Sequence, residues 1–218
     1  CLARSIHKGA VCDTCWSSVL FGFRKLMPDS SADSRMPGPV FLSGDSVTLR
    51  PPERGDLDAI QRWMNDPELW RPALDAKPMN GDLAEQFFET TLTTEDDVKL
   101  LACVNDDPIG MVSLTASQYG PTATDRARSM ELAYHLDPEF HGEGYGSEAA
   151  GLVVEYGFAD LNLNRIEASA GAFNDASRGL LESLGFQREG ARRDAAYYRG
   201  DYYDMLTYGL LRAEWDGR

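Results

Sequence analysis

The sequence predicts one α/β domain in which about four helices pack on a mixed, mostly antiparallel sheet of about seven strands. Three observations support this fold class. Segments of period two alternate along the chain with segments of period 3.6, turn residues separate them, and 43% of the residues are hydrophobic against 26% charged. No apolar run is long enough to cross a bilayer, and the stretch 19–23 is too short for the core of a signal peptide. We therefore expect a cytoplasmic protein that does not enter the membrane.

The first 38 residues differ in composition from the rest. Residues 28–39 are rich in Ser, Asp, Pro and Gly, which is typical of a linker. Five basic and three acidic residues give the segment 1–36 a net charge of +2. Since the whole chain has a net charge of −14, the remaining residues carry −16. We expect residues 1–38 to be a poorly ordered leader or a mis-extended start, and the folded domain to span residues 40–218.

The first half of that domain is predicted to hold one strand, two helices and a hairpin. The strand Val47–Arg50 ends at two prolines, which cannot donate to a ladder. Asp56 and Asp82 are the predicted caps of the two helices, the first of which runs through Met64. The hairpin then has strands Val98–Val104 and Ile109–Thr115, joined by an Asn-Asp-Asp-Pro turn.

The second half is predicted to alternate strands and helices before a closing strand pair. A loop over 118–126 leads to the strand Met130–Leu136 and the helix Ser147–Ala159. Asn174 is the predicted cap of a later helix that ends at Gly185. The remaining predicted strands are Arg165–Ala170, Phe186–Arg192 and Tyr202–Leu211.

The charge balance and the cysteines exclude several classes of protein. Thirty-five acidic residues against 21 basic ones argue against a general nucleic-acid binder. The acidity is explained either by adaptation to high salt, as in a halophilic protein, or by an acidic groove that attracts a cationic substrate. Cys12 and Cys15 lack a second ligand pair, so no metal site is expected, and Cys103 is expected in the core.

A glycine-rich turn is the most informative segment. It runs from the predicted strand into the predicted helix as His141-Gly142-Glu143-Gly144-Tyr145-Gly146. Glycines allow the backbone to approach a ligand, and the N–H groups at a helix N-terminus attract an anion. The turn therefore predicts a pyrophosphate site. It does not match a dinucleotide fingerprint, because Ser147 stands where the last glycine is required, and the chain has no Gly-Lys-Ser/Thr.

This turn resembles the R/Q-x-x-G-x-G/A signature of the GNAT N-acetyltransferases, with His141 in place of the usual Gln or Arg. Further segments are similar to the RimJ/RimL type, which acetylates the N-termini of ribosomal proteins. The resemblance covers about residues 45–215. The segments that carry it are Met130–Leu136, Arg165–Ala168, Asn174–Ser177, Leu181–Phe186 and Gly200–Trp215.

The resemblance implies acetyl transfer from acetyl-CoA to a primary amine. It implies that the turn His141–Gly146 binds pyrophosphate and that the backbone of Tyr134 and Leu136 binds the pantetheine arm. Asn174 would contact the arm near its thiol end, and Ser177 would protonate the leaving thiolate. Leu181 stands where many relatives place a tyrosine acid.

Two glutamates are candidates for the base that deprotonates the amine. Glu131 and Glu167 each lie inside an apolar strand, where an unpaired charge is costly. Burial would raise a carboxyl pKa towards a useful value. Cross-strand ion pairs with Arg165 or Arg128 are the structural alternative, and ordered water could serve as the base instead.

The acceptor is expected over the two early helices, and its identity stays open. The predicted acceptor is a protein N-terminus, such as that of a ribosomal protein, with a polyamine or aminoglycoside-like amine as the alternative. A non-catalytic acyl-CoA-binding module on the same fold is a third possibility. Asp204 and Tyr208 are further candidates to line the amine site, and the protein is expected to be a monomer or homodimer.

Overall fold

The computed structural model describes residues 38–74, 77–116 and 128–217, and its centre is an eight-stranded sheet. The predicted leader lies almost entirely outside the described residues, as does the predicted loop 118–126. The strand order is β1-β2-β3-β4-β5-β6-β8-β7, and among the described strands only the neighbours β5 and β6 are parallel. The strands are β1 Leu42–Ser43, β2 Thr48–Arg50, β3 Val98–Val104, β4 Asp107–Ala116, β5 Ser129–Leu136, β6 Arg165–Gly171, β7 Gln187–Tyr198 and β8 Asp201–Leu211.

Helices cover both faces of the sheet. The helices are α1 Leu57–Asn65, α2 Pro67–Trp70, α3 Gly81–Phe87, α4 Tyr145–Ala159 and α5 Asp175–Ser183, and a π-helical turn Phe88–Leu92 extends α3. The larger core lies between the sheet and α4 and α5. A smaller core around Trp63 lies on the other face, beneath α1 and α3. The predicted fold class is confirmed, with eight described strands in place of about seven and five described helices in place of about four.

The sheet opens at its centre. β5 and β6 pair over only three residues, ending at Glu131 opposite Glu167. Beyond that point, residues 132–136 pair only with β4, and residues 168–171 pair only with β8. The two parallel strands therefore diverge and leave a gap with unpaired backbone on both sides.

Two predicted helix caps differ in the structure: Asp56 stands at the N-cap of α1 without bonding the helix, and Asp82 lies past the cap of α3. Asp56 precedes α1, but its carboxylate accepts hydrogen bonds from Arg50 at 2.8 and 2.7 Å and does not cap the helix. The cap of α3 is Asn80, whose Oδ1 accepts from the N–H of Leu83 at 2.9 Å, and Asp82 lies in the first turn. The predicted cap at Asn174 is confirmed, and Cys103 is buried as expected.

Within the described ranges, no helix combines the length and the apolar composition that a bilayer crossing requires. No cluster of His, Cys, Asp or Glu side chains in the same ranges is arranged to hold a metal ion.

Candidate active site

A cavity of about 650 Å³ fills the gap between β5 and β6. Its walls come from six parts of the fold, so no single motif encloses it. They are residues 131–136 of β5, residues within the turn 140–147, residues 168–171 of β6, residues within 174–183 around α5, residues within 68–73 at α2, and Met205 of β8. This cavity, which we call the main cleft, is large enough for an extended small molecule.

The glycine-rich turn forms one end of the main cleft. Gly142 and Gly144 have φ values of +84° and +85°, a conformation that residues with a side chain rarely adopt. Gly144 immediately precedes α4, and both glycines are exposed. The N–H groups of the first turn of α4 have no partner within the helix, so this end of the main cleft can bind an anion.

A nearby carboxylate is held in place by the backbone just before β2. Glu148, in the first turn of α4, accepts hydrogen bonds from the N–H groups of Ser46 at 2.8 Å and Val47 at 3.1 Å. These bonds attach the start of α4 to the edge of the sheet. The glutamate of the turn itself, Glu143, is exposed and does not line the main cleft.

The backbone of β5 offers hydrogen-bonding groups to the main cleft. The N–H of Asp137 donates to Ile109 of β4, and backbone direction alternates along a strand. The backbone groups of Leu132, Tyr134 and Leu136 therefore face away from β4, towards the gap. His141 lies 2.9 Å from the carbonyl oxygen of Leu136 through Nε2, which connects the glycine-rich turn to the end of β5.

Two hydroxyl groups meet on the α5 side of the gap. The Tyr134 hydroxyl lies 2.9 Å from Ser177 Oγ, and Asn174 Oδ1 accepts from the Ser177 N–H at 3.1 Å. Burial raises the pKa of Tyr134 to about 12, and the contact with Ser177 only partly offsets this effect. The phenol therefore keeps its proton near neutral pH. Leu181, where the resemblance would place a tyrosine, is buried, and Tyr134 brings a phenol into this region from a strand.

Two carboxylates lie side by side where the strands begin to diverge. Burial, and next the charge of Glu167, raise the pKa of Glu131, while Arg192 opposes the shift. Glu167 Oε2 lies 3.6 Å from Arg165 Nε. Its Oε1 atom is buried and has no hydrogen-bond partner within the described residues. Arg165 itself is paired with Glu189.

The opposite face of β5 carries an opening in the layer of helices. Ala133 is exposed although it lies in the middle of a central strand. Beside it, the His135 ring packs edge-on against Trp63 with 5.6 Å between ring centroids. His135 Nε2 is buried and has no hydrogen-bond partner in the described structure, and burial lowers the pKa of His135 to about 4.

Most of the sequence-predicted residues meet in the main cleft. Nine line it: Glu131, Tyr134, Leu136, His141, Gly142, Gly144, Gly146, Asn174 and Ser177. Glu143, Tyr145 and Glu167 do not. Tyr208, a further candidate, is buried in the larger core, where its hydroxyl donates to Glu182 at 3.4 Å.

Sequence reasoning missed the side chains of Tyr134 and His135. The hydroxyl contact of Tyr134 and the packing of His135 on Trp63 join segments far apart in the chain. The apolar and polar alternation of β5 could have placed the two side chains on opposite faces. That alternation could not have identified the residues that each side chain contacts.

Comparisons with known proteins agree with this geometry. The sequence model of the Acetyltransferase (GNAT) domain matches residues 46–187. An uncharacterised N-acetyltransferase named p20, from Bacillus licheniformis, is 30% identical over 182 residues, which are 81% of this chain and 98% of p20. YdaF of Bacillus subtilis, named as a candidate ribosomal N-acetyltransferase, is 38% identical over 90 residues, which are 41% of this chain and about half (49%) of YdaF.

A solved structure shares the fold. The crystal structure of a spermidine N-acetyltransferase from Vibrio cholerae, in complex with CoA and spermine, superposes with a TM-score of 0.70. The match covers 78% of this chain and 98% of that one, at 24% identity.

Proposed function

Because this chain belongs to the GNAT family of acetyltransferases, we propose that it acetylates the α-amine at the N-terminus of a peptide or protein. The reaction is the transfer of an acetyl group from acetyl-CoA to an amine. The observation that carries the choice of acceptor is the opening above β5, where Ala133 is exposed in mid-strand. An opening at the centre of a sheet gives a chain end access to the gap from the face opposite α4 and α5.

Acetyl-CoA fits the main cleft along its length. The N–H groups after Gly142 and Gly144 would bind the pyrophosphate. The backbone of Tyr134 and Leu136 would bind the pantetheine arm as an added strand, because these groups face the gap and have no strand partner there. Asn174 lines the same wall near Ser177.

The amine must lose a proton before it attacks, and Glu131 is the proposed acceptor of that proton. An ammonium is not nucleophilic, and a base works best when its pKa lies near the operating pH. Glu131 lines the main cleft, and its pKa is raised by burial and by Glu167. The second carboxylate also favours the approach of a cation.

The sulfur of the leaving group takes a proton, for which Ser177 is the proposed donor. The new C–N bond forms as the C–S bond breaks, and the electron pair of that bond goes to sulfur. Ser177 Oγ is 2.9 Å from the Tyr134 hydroxyl, so the phenol can return a proton to the serine. This arrangement supplies a hydroxyl pair where many relatives have a tyrosine on the helix.

A polyamine is the second candidate acceptor, and one observation favours it. Glu68 of α2 lines the main cleft together with Glu131, so two carboxylates face the space an amine would enter. The Vibrio cholerae protein whose structure this chain resembles is a spermidine N-acetyltransferase.

The acceptor is tested by incubating the full chain and acetyl-CoA with separate amines and locating the added acetyl group by fragmentation mass spectrometry. The panel contains a peptide with a free α-amine, the same peptide with a blocked α-amine and an internal lysine, spermidine, and an aminoglycoside. We expect acetylation of the free α-amine alone. Acetylation of spermidine with none on the peptide would reject the proposal and establish the second candidate.

A further inference from the structure

A second cavity lies on the α1 and α3 face of the sheet, with a volume of about 250 Å³. We call it the apolar chamber, because most of its wall is apolar. The large apolar side chains of this wall are Met64 of α1, Phe87 of α3, Leu92 and Met111, and Lys99, Ser113 and His135 add polar groups to it. Two methionines make the wall adaptable, since thioether side chains fill irregular space easily.

The apolar chamber opens from the same strand that lines the main cleft. Ala133, Tyr134 and His135 of β5 line both cavities, and so does Ala73. Ala133 is exposed, so the strand is accessible from solvent between them. An amine placed over β5 to reach the acetyl group would therefore hold its neighbouring atoms at the mouth of the chamber.

The charges of the chamber disfavour a second ammonium. Among the described residues no carboxylate lines it, and its charged lining residue is Lys99. The Lys99 ammonium is already bound by Asp97 and by the Thr94 hydroxyl. A cationic tail would find no free carboxylate in this wall to replace the water that it loses, whereas an apolar group needs no such partner.

We propose that the apolar chamber binds the first side chain of the acceptor peptide and selects N-termini that begin with a long apolar residue. A space of about 250 Å³ holds one side chain of the size of Met, Leu or Phe. This inference rests on the proposed function, since it needs a peptide as the acceptor. It adds the class of N-terminus that the enzyme prefers.

The test compares peptides that differ only in the first residue: Met, Leu, Phe, Ser, Glu and Lys. The full chain is assayed with acetyl-CoA by release of the CoA thiol, and the products are located by mass spectrometry. We expect kcat/KM for the Met, Leu and Phe peptides to exceed that for the Ser peptide by at least about tenfold, the discrimination typical of an apolar pocket. The Glu and Lys peptides should be poorer still.

A matched pair of variants assigns the preference to the chamber. Met64→Lys puts a second cation into the wall, and Gln86→Lys adds the same charge at an exposed position of α3 that lines neither cavity. Met64→Lys should lose the preference for apolar first residues and improve the Glu peptide relative to the Met peptide. Gln86→Lys should behave as the unmodified chain. Acetyl-CoA affinity, measured by calorimetry, should be unchanged in both variants, which shows that they are folded.

The outcomes separate this inference from the function it rests on. If all peptides are acetylated with equal kcat/KM, the chamber assignment is wrong and the peptide acceptor stands. If the apolar preference persists in Met64→Lys, the selection lies elsewhere and the assignment is also wrong. If no peptide reacts and spermidine does, both proposals fail.

Discussion

The anion site at the glycine-rich turn is tested by Gly144→Glu, which places a carboxylate where the pyrophosphate is expected. Gly144 has a φ of +85°, and a β-carbon there would meet no atom within 4 Å. The substitution is therefore opposed by backbone strain and not by a clash. A non-glycine residue in this region costs about 1–2 kcal/mol. A charge about 4 Å from the ligand adds repulsion of about 1 kcal/mol in water to about 4 kcal/mol near a protein surface.

Backbone strain lowers the melting temperature and the added charge lowers the affinity for acetyl-CoA, so the two effects can be measured separately. Strain at Gly144 is present with and without ligand and lowers the melting temperature, by about 2–4 °C per kcal/mol for a domain of this size. The charge acts on binding, and 1–4 kcal/mol corresponds to a dissociation constant about 5- to 1000-fold higher. Gly144→Ala carries the strain alone. Gly81→Glu carries the charge alone, at an exposed α3 position where a β-carbon also meets nothing within 4 Å.

Calorimetric titration of acetyl-CoA into the three variants gives the result. We expect Gly144→Glu to bind most weakly and Gly81→Glu to match the unmodified chain. Gly144→Ala should melt earlier while its affinity changes by less than about tenfold. Equal affinities for Gly144→Glu and Gly144→Ala would place the pyrophosphate elsewhere and refute the assignment.

Three further predictions concern side chains on both faces of β5 and at the start of α5. Ser177→Ala should lower kcat by about 100-fold or more with unchanged acetyl-CoA affinity, and Tyr134→Phe should lower kcat less. Stopped-flow kinetics measure the rates, and calorimetry measures the affinities. A wild-type kcat in Ser177→Ala would show that the serine takes no part in the reaction. The profile of kcat/KM against pH should have an acidic limb above the usual carboxyl pKa because that of Glu131 is raised; Glu131→Gln should abolish this limb, and its persistence would assign the base to another group. The lowered pKa of His135, about 4, means that the unfolded chain takes up a proton first as the pH falls. The free energy of unfolding, measured by urea titration, should fall by about 2 kcal/mol between pH 7 and pH 5. An equal fall in the His135→Phe variant would contradict this origin.

The order of strands and helices is predictable because it depends on local patterns. The strand β3 has the predicted bounds, Val98–Val104, because turn residues stand beyond it. The side chain of Asp56 does not cap α1 because Arg50 on β2 binds its carboxylate, and the helix pattern does not reveal that competition. β7 extends to Tyr198 because it pairs with β8 again beyond an irregularity between Arg192 and Ala196, and such pairing is not visible in one segment.

The candidate active site also has features that local sequence determines and features that depend on packing between distant segments. The glycine-rich turn is predictable because positive φ at Gly142 and Gly144 is a local requirement. The contact between Tyr134 and Ser177 is not, because the two residues meet only after α5 has packed on the sheet. The buried position of Tyr208 follows from the same packing, since its strand turns that face towards α5.

Alternate side chains of strand β5 point to opposite faces of the sheet. Tyr134 points to Ser177 and α5, whereas its neighbour His135 points to Trp63 and α1. A slip of one residue would exchange these faces and move the Tyr134 hydroxyl away from Ser177. The strand β4 opposes such a slip at Gly110, where a β-carbon would lie 2.2 Å from the carbonyl oxygen of His135. The close approach of β4 and β5 therefore fixes the register on which both halves of the site depend, and it explains why a glycine stands in the middle of a buried strand.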